Sequence, residues 1–261
     1  MLILRATLEL MRLDSSVLGF LAIFFPVLVR TNDFTLSFRR AIPLLFICIC
    51  TFTANDLDDV ERDRVNHPER PLPAGHLNPS FAVVLYFASL AAALFSTKHY
   101  VAPGIAFCYY ALIAMAISYR YIVEWFPSVK APYVAIASSV PILIVAAWYP
   151  NETRLRFVAG AVLLVTTARE ICMDIEDRAG DDTSLMHRLR PTPLAVAAFS
   201  LQVIGLLLLA SQIHRPGDVV GLLAMTFLLA ISGVCWFKFS SHKLATILMK
   251  LELFVGLYFL I

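Results

Sequence analysis

Residues 41–75 read AIPLLFICICTFTANDLDDVERDRVNHPERPLPAG, and the change of character at Asn55 decides how the chain is read. Up to Ala54 the stretch is apolar; from Asn55 to Glu69 it carries six carboxylates in fifteen residues. Asn55, Asp59 and Asp63 recur at every fourth position, so on a continuing helix each lies about 40° round from the last, on one face. Carboxylates so placed repel: at an effective dielectric of 20 and about 6 Å, each like-charge pair costs about 2–3 kcal/mol. A cation has to offset that cost, and an all-oxygen donor set points to magnesium or calcium rather than zinc. Glu170, Asp174, Asp177 and Asp181, spaced by four, three and four, keep one helical face in the same way. The two segments together hold 12 of the chain's 19 acids.

Around these clusters the chain is greasy. It is 59% hydrophobic and 15% charged over 261 residues, with a mean hydropathy of +0.77. Apolar runs of about 17–22 residues recur along its length, the pattern of a polytopic α-helical membrane protein. We place nine spans: Leu13–Val29, Ala41–Ala54 with a turn on either side, Ser80–Ser96, Tyr100–Tyr119, Ala131–Tyr149, Leu155–Met173, Pro193–Gln212, Val219–Phe239 and Leu244–Ile261. Short connections leave no room for a soluble domain, so residues 1–261 read as a single transmembrane domain. Met1 to Arg12 carries Glu9 and leads straight into the first span, without the pattern of a cleavable signal. A net charge of +2 argues against a nucleic-acid partner. The five cysteines lie in or beside apolar runs without CxxC spacing and read as small buried hydrophobes.

With the N-terminus cytoplasmic, loops on that side carry thirteen lysines and arginines against seven on the other. This orientation puts the C-terminus on the opposite side and both acidic clusters on the cytoplasmic side, where they can face each other. The segment His67 to Gly75, with three prolines and a glycine, cannot be a regular helix and reads as a loop or lid beside the first cluster.

Magnesium commonly takes one or two carboxylates and fills its remaining positions with water and substrate phosphates. Two facing clusters therefore suit a diphosphate held by magnesium ions, with Arg62, Arg64, Arg70, Arg120, Lys130 and Arg178 available around it. Arg12 stands at the mouth of the first span on the same side. A hydrophobic diphosphate ester would bury its tail among the helices and lose its head group by ionisation, the metals stabilising the departing charge. Phe52, Tyr119, Tyr121, Trp125 and Phe126 could shelter the resulting carbocation, although interfacial belt positions suit the same residues.

These residues resemble a known family. Asn55-Asp56-x-x-Asp59-x-x-x-Asp63 with Asn66-x-Pro68-x-Arg70-Pro71-Leu72-Pro73-x-Gly75 resembles the first signature of the UbiA superfamily of intramembrane prenyltransferases. Arg169-Glu170-x-x-x-Asp174-Ile175-Glu176-Asp177-x-x-Gly180-Asp181 resembles its second aspartate-rich motif, and Arg12-Leu13-Asp14 its opening segment. The sequence departs from the family pattern at Val60, where many members carry arginine, and at Ser118-Tyr119, where the pair is reversed. The resemblance implies an all-α helical barrel around a central cavity, and magnesium-dependent transfer from a polyprenyl diphosphate to an acceptor, commonly aromatic, in quinone or lipid biosynthesis. It implies that Asn55, Asp59 and Asp63 hold one metal and Asp174, Asp177 and Asp181 the other. Arg12, Arg62, Arg70, Tyr119, Lys130 and Arg178 are the candidates for the diphosphate.

Two other readings compete. A terpene cyclase would use the same fold and metals on one prenyl diphosphate. A divalent-cation transporter would use the carboxylates as ion sites, but transport sites lie near the bilayer midplane, whereas these lie at span ends. Lys250 and Glu252 in the last span are two residues apart, share no face, and are expected to make polar contacts with a neighbouring helix. Asp218 is expected to begin the eighth span.

Overall fold

The computed structural model describes residues 2–177, 191–238 and 242–256. Among them are eleven α-helices and no strand. These are α1 (Leu2–Leu10), α2 (Leu13–Thr31), α3 (Phe34–Asp58), α4 (Val60–Asn66), α5 (Pro79–Tyr100) and α6 (Pro103–Trp125). The others are α7 (Lys130–Trp148), α8 (Thr153–Glu176), α9 (Pro191–Ala210), α10 (Pro216–Phe237) and α11 (His242–Gly256). Of the candidate site residues, Arg178 and Asp181 lie outside the described residues.

Over the described residues, each of the nine expected spans falls on a helix. Seven of these segments are long and apolar enough to cross a membrane: α2, α3, α5, α6, Pro127–Trp148, α9 and α10. The other two are α8, which carries Arg154, Arg156, Arg169, Glu170, Asp174 and Glu176, and α11, with 15 described residues. Burial follows the logic of a lipid solvent. Phe107 is 74% exposed and Phe227 66%, whereas Ala41, Ala82, Ala93, Ala135 and Ala168 are at 0%. In water that arrangement would be inside out. Among lipid tails an apolar exterior costs nothing, and small residues let helix backbones approach.

The chain divides into two compact units, residues 1–125 and, as described, 126–177 with 191–256. In the first, α3 packs against α2, α5 and α6. Gly19 permits the α2–α3 approach, since a Cβ there would lie 2.8 Å from Cys48 Sγ. The Tyr109 hydroxyl donates to the Arg40 carbonyl at 2.6 Å, tying α6 to α3. The α2–α3 turn pairs a left-handed Asn32 with Asp33, whose carboxylate caps α3 by accepting from the Leu36 N–H at 2.9 Å. In the second unit, α8 packs against α7, α9 and α11, and contacts of α10 with both α9 and α11 close a ring of four helices.

The structure corrects the expected local geometry in three places. The span expected over Ala41–Ala54 with a turn on either side starts earlier, at Phe34, and ends one turn past Ala54, at Asp58. The helix expected to continue through Asp63 then breaks at Asp59 (φ −94, ψ 3), and α4 restarts at Val60. The restart puts Glu61 and Asp63 in the first turn of α4, where the helix dipole favours carboxylates. Residues 1–12 do not lead straight into the first span: α1 forms a separate helix, ended by Arg12 in the left-handed region (φ 41, ψ 53). Asp218 sits in the first turn of α10, as its sequence position suggests. Its carboxylate accepts from the His214 and Arg215 N–H groups at 3.0 and 3.1 Å and pairs with Arg154 at 2.7 Å.

Candidate active site

The first cluster is assembled from the end of α3, α4, the loop after it, and the α1–α2 junction. Asp56, in the last turn of α3, is 5% exposed. Its Oδ1 accepts from Arg12 Nη2 at 2.5 Å. The left-handed backbone at Arg12 separates α1 from α2 here, and strain of that kind concentrates at functional sites. The Arg12 guanidinium also lies over the Phe52 ring, 5.4 Å from its centroid. Phe52 is therefore engaged by a protein cation, whereas Tyr121, Trp125 and Phe126 are 64%, 78% and 62% exposed. Burial works to lower the Arg12 pKa, but the adjacent Asp56 carboxylate outweighs it and the pKa is raised.

Asp63 on α4 is 4% exposed, and both of its oxygens accept from Arg70 Nη1, at 2.8 and 2.7 Å. Desolvation pushes the Asp63 carboxyl above its ordinary pKa, against the pull of Arg70. Arg70 reaches Asp56 as well, at 3.9 Å, so one guanidinium spans two buried carboxylates. It comes from the proline-rich segment after α4, which is irregular as its composition requires and turns at Gly75 (φ +71). Leu72 and Leu77 anchor that segment by packing with Ala6, Leu10 and Ala82. Arg62 pairs with Asp59, and Arg120 of α6 with Asp58 at 2.8 Å. Tyr119 lies half-buried just before Arg120. Between α1, Asp56 and the loop lies a cavity of about 310 Å³ lined by Arg5, Glu9, Arg12, Asp56, Glu69, Arg70 and Pro71.

The second cluster occupies the last turns of α8. Glu170 and Asp174 are 7% and 6% exposed. Asp174 pairs with Lys130, the first residue of α7, and Glu170 with Arg169 at 3.1 Å. Asp177 ends the helix, its N–H bonded to the Met173 carbonyl.

Both clusters place carboxylates at helix C-termini, where the backbone dipole favours cations by about 0.3–1 kcal/mol per charge. Stability alone would not select that pattern, and a local rule broken twice in the same way marks function. Asp56, Asp58 and Asp174 are instead held by Arg12, Arg120 and Lys130, from elsewhere in the same unit. Among the described residues no three His, Cys, Asp or Glu side chains converge closely enough to hold a metal by themselves. The donor set of aspartate and asparagine oxygens fits magnesium, a hard cation that takes oxygen ligands.

The clusters bring together Asp59 with Arg62, Asp63 with Arg70, and Asp174 with Lys130, all candidates from the sequence. They add Asp56, which spacing missed: a four-residue repeat starting at Asn55 selects 55, 59 and 63 and leaves Asp56 about 100° off the stripe. Arg12-Leu13-Asp14 at the span mouth was the available signal for its partner.

The profile of the UbiA prenyltransferase family matches residues 17–254, across both units. The chain belongs to that family. Among curated UbiA relatives, the digeranylgeranylglyceryl phosphate synthase of Halobacterium salinarum is 33% identical over 147 residues, 54% of this chain and 50% of that one. The synthase of Pyrococcus abyssi is 32% identical over 142 residues, 51% and 48% of the two chains. That of Natronomonas pharaonis is 26% identical over 212 residues, 77% and 75%. The chain thus spans about half the length of the first two relatives it matches. A solved structure of digeranylgeranylglyceryl phosphate synthase superposes with a TM-score of 0.69 at 19% identity, covering 100% of this chain and 99% of that one. A UbiA homologue from Archaeoglobus fulgidus bound to DMAPP and Mg2+ gives 0.62 at 16%, covering 97% and 98%. At these identities the likeness establishes the all-helical UbiA fold. With seven helices apt to cross a membrane, the chain is an integral membrane protein.

Proposed function

We propose that this UbiA-family protein transfers a prenyl group from a prenyl diphosphate to a lipophilic acceptor, with magnesium. The observation that carries the reading is the pairing of buried motif carboxylates with arginine or lysine at the C-termini of two long helices. Asn55, Asp59 and Asp63, joined by Asp56, would hold one metal, and Asp174, Asp177 and Asp181 another. Bound magnesium supplies charge neutralisation for the departing diphosphate. Arg12, Arg70 and Lys130 hold Asp56, Asp63 and Asp174, and would be available to phosphate oxygens with metal bound at those carboxylates. Arg62, Tyr119 and Arg178 remain candidates for the same diphosphate. The allylic C–O bond breaks with its electron pair on the diphosphate, an acceptor atom attacks the cation, and the acceptor loses a proton.

The name of the curated relatives describes two geranylgeranyl chains on glyceryl phosphate, which favours a hydroxyl of a glyceryl phosphate over an aromatic ring as the acceptor. We place the motif-bearing helix ends and the N-terminus in the cytoplasm, following the charge of the loops.

Purified protein incubated with DMAPP, GPP or longer diphosphates, with and without glyceryl phosphate or aromatic acceptors, tests this by product mass. Asp59→Ala and Asp177→Ala are expected to abolish transfer while the protein still inserts in membranes. Full activity in both variants refutes the assignment. A cyclised hydrocarbon formed without acceptor identifies a cyclase instead.

A further inference from the structure

The ring formed by α8, α9, α10 and α11 has a core of its own, away from the motif carboxylates. Each of α9, α10 and α11 buries one stripe. On α9 it is Ala195, Ala198, Gln202, Gly205, Leu206 and Leu209. On α10 it runs through Met225, Leu229, Ser232, Cys235 and Trp236, and on α11 through Ala245, Met249 and Glu252. Next to the motif end these stripes meet in an apolar cluster with Ala168, Cys172 and Ile175 of α8. One turn deeper, each stripe places a polar residue: Gln202, Ser232 and Glu252, all at 0% exposure. Both Glu252 oxygens, both Gln202 amide atoms and the Ser232 hydroxyl lack a hydrogen-bond partner among the described residues. The polar contact expected for Glu252 with a neighbouring helix is therefore not made by any side chain among the described residues. Lys250 lies about 200° round α11 from Glu252, off the stripe.

The three residues occupy one level. A Cβ at Gly256 would lie 3.6 Å from Met225 Cε, which fixes the α10–α11 register and puts Glu252 beside residue 229. A Cβ at Gly233 would lie 3.7 Å from Phe199 Cε1, which puts Gln202 beside residue 230. Ser232 is two or three residues away, within about 5 Å along the axis at 1.5 Å per residue.

A carboxylate buried without compensation is among the costliest groups a protein can hold. Core positions on facing helices of a four-helix arrangement are also where such proteins build ion sites. We propose that Glu252, Gln202 and Ser232 form a binding site for an alkali-metal cation in the core of the α8–α11 ring. The donors are a carboxylate, an amide oxygen and a hydroxyl, all hard oxygen ligands. Their single negative charge balances a monovalent ion, whereas a divalent ion would leave a positive charge buried.

The test uses the full-length protein in detergent without magnesium, its unfolding temperature measured in NaCl, KCl and choline chloride at equal ionic strength. Sodium or potassium is expected to raise the midpoint over choline by on the order of 5 °C. Glu252→Gln, which keeps the shape and removes the charge, is expected to abolish that difference, and Gln202→Leu to reduce it. Equal midpoints in all three salts, or a cation effect surviving Glu252→Gln, overturns the proposal and leaves a protonated carboxyl solvated by water. Saturable binding of radioactive sodium or rubidium at one ion per unaltered chain is the check that needs no variant; its absence also overturns the site.

Discussion

Replacing Arg12 by methionine removes the cation that Asp56 bonds at 2.5 Å while keeping most of the side-chain volume. Breaking a fully buried ion pair by removing one partner costs about 3–5 kcal/mol, because the other charge is left uncompensated. Two features lower that figure here. The Arg12 side chain is 24% exposed, and Asp56 retains Arg70 at 3.9 Å. Loss of the contact with the Phe52 ring adds back about 0.5–1 kcal/mol. We expect a net loss of about 2–3 kcal/mol, which for a chain of this size lowers the unfolding midpoint by about 5–10 °C. Asp56→Leu alone should cost a similar amount, since Arg12 then lies beside an apolar group. The double variant Arg12→Met with Asp56→Leu should recover much of the loss, with a coupling energy of at least about 1.5 kcal/mol. Thermal unfolding of the four proteins in one detergent, followed by tryptophan fluorescence, closes the cycle. Additive losses in the double variant would refute the reasoning, because two side chains that act through each other cannot be lost independently.

Lys130→Met should leave Asp174 buried without that partner and reduce prenyl transfer at least about 100-fold, an effect of the size set by losing one preorganised electrostatic contact; initial rates against a GPP series measure it. Chelation with EDTA should abolish transfer, and adding back Mg2+ should restore it where Zn2+ does not, as an all-oxygen donor set requires. Gly19→Ala should cost about 1–3 kcal/mol by forcing Cys48 from its place, and Cys48→Ala in the same chain should restore the midpoint of unfolding. If Cys48→Ala fails to rescue, the α2–α3 contact is not what limits that position.

Most of the helices could be read from the sequence because lipid selects on composition alone, and an apolar run declares itself without knowledge of its neighbours. The two acidic segments stood out for a related reason: twelve acids gathered into two segments of a greasy chain have few structural explanations. What could not be read depends on partners distant along the chain. Asp56 meets Arg12 across 44 residues and Lys130 meets Asp174 across another 44, and no local periodicity carries that information. The break at Asp59 escaped because a regular repeat presumes a regular helix, while Glu61 and Asp63 favour a new helix start just after it. Glu252 was visible as an anomaly in an apolar span, but only packing shows that its carboxylate meets no side-chain partner among the described residues.

The shared packing of Ala6 and Leu10 with Leu72 and Leu77 has a practical consequence. The opening ten residues resemble dispensable lead-in sequence, yet they prop up the segment that delivers Arg70 to Asp63 and Asp56. Trimming them should therefore weaken donor capture, seen as a raised KM for the diphosphate, before it harms insertion or the remaining helices.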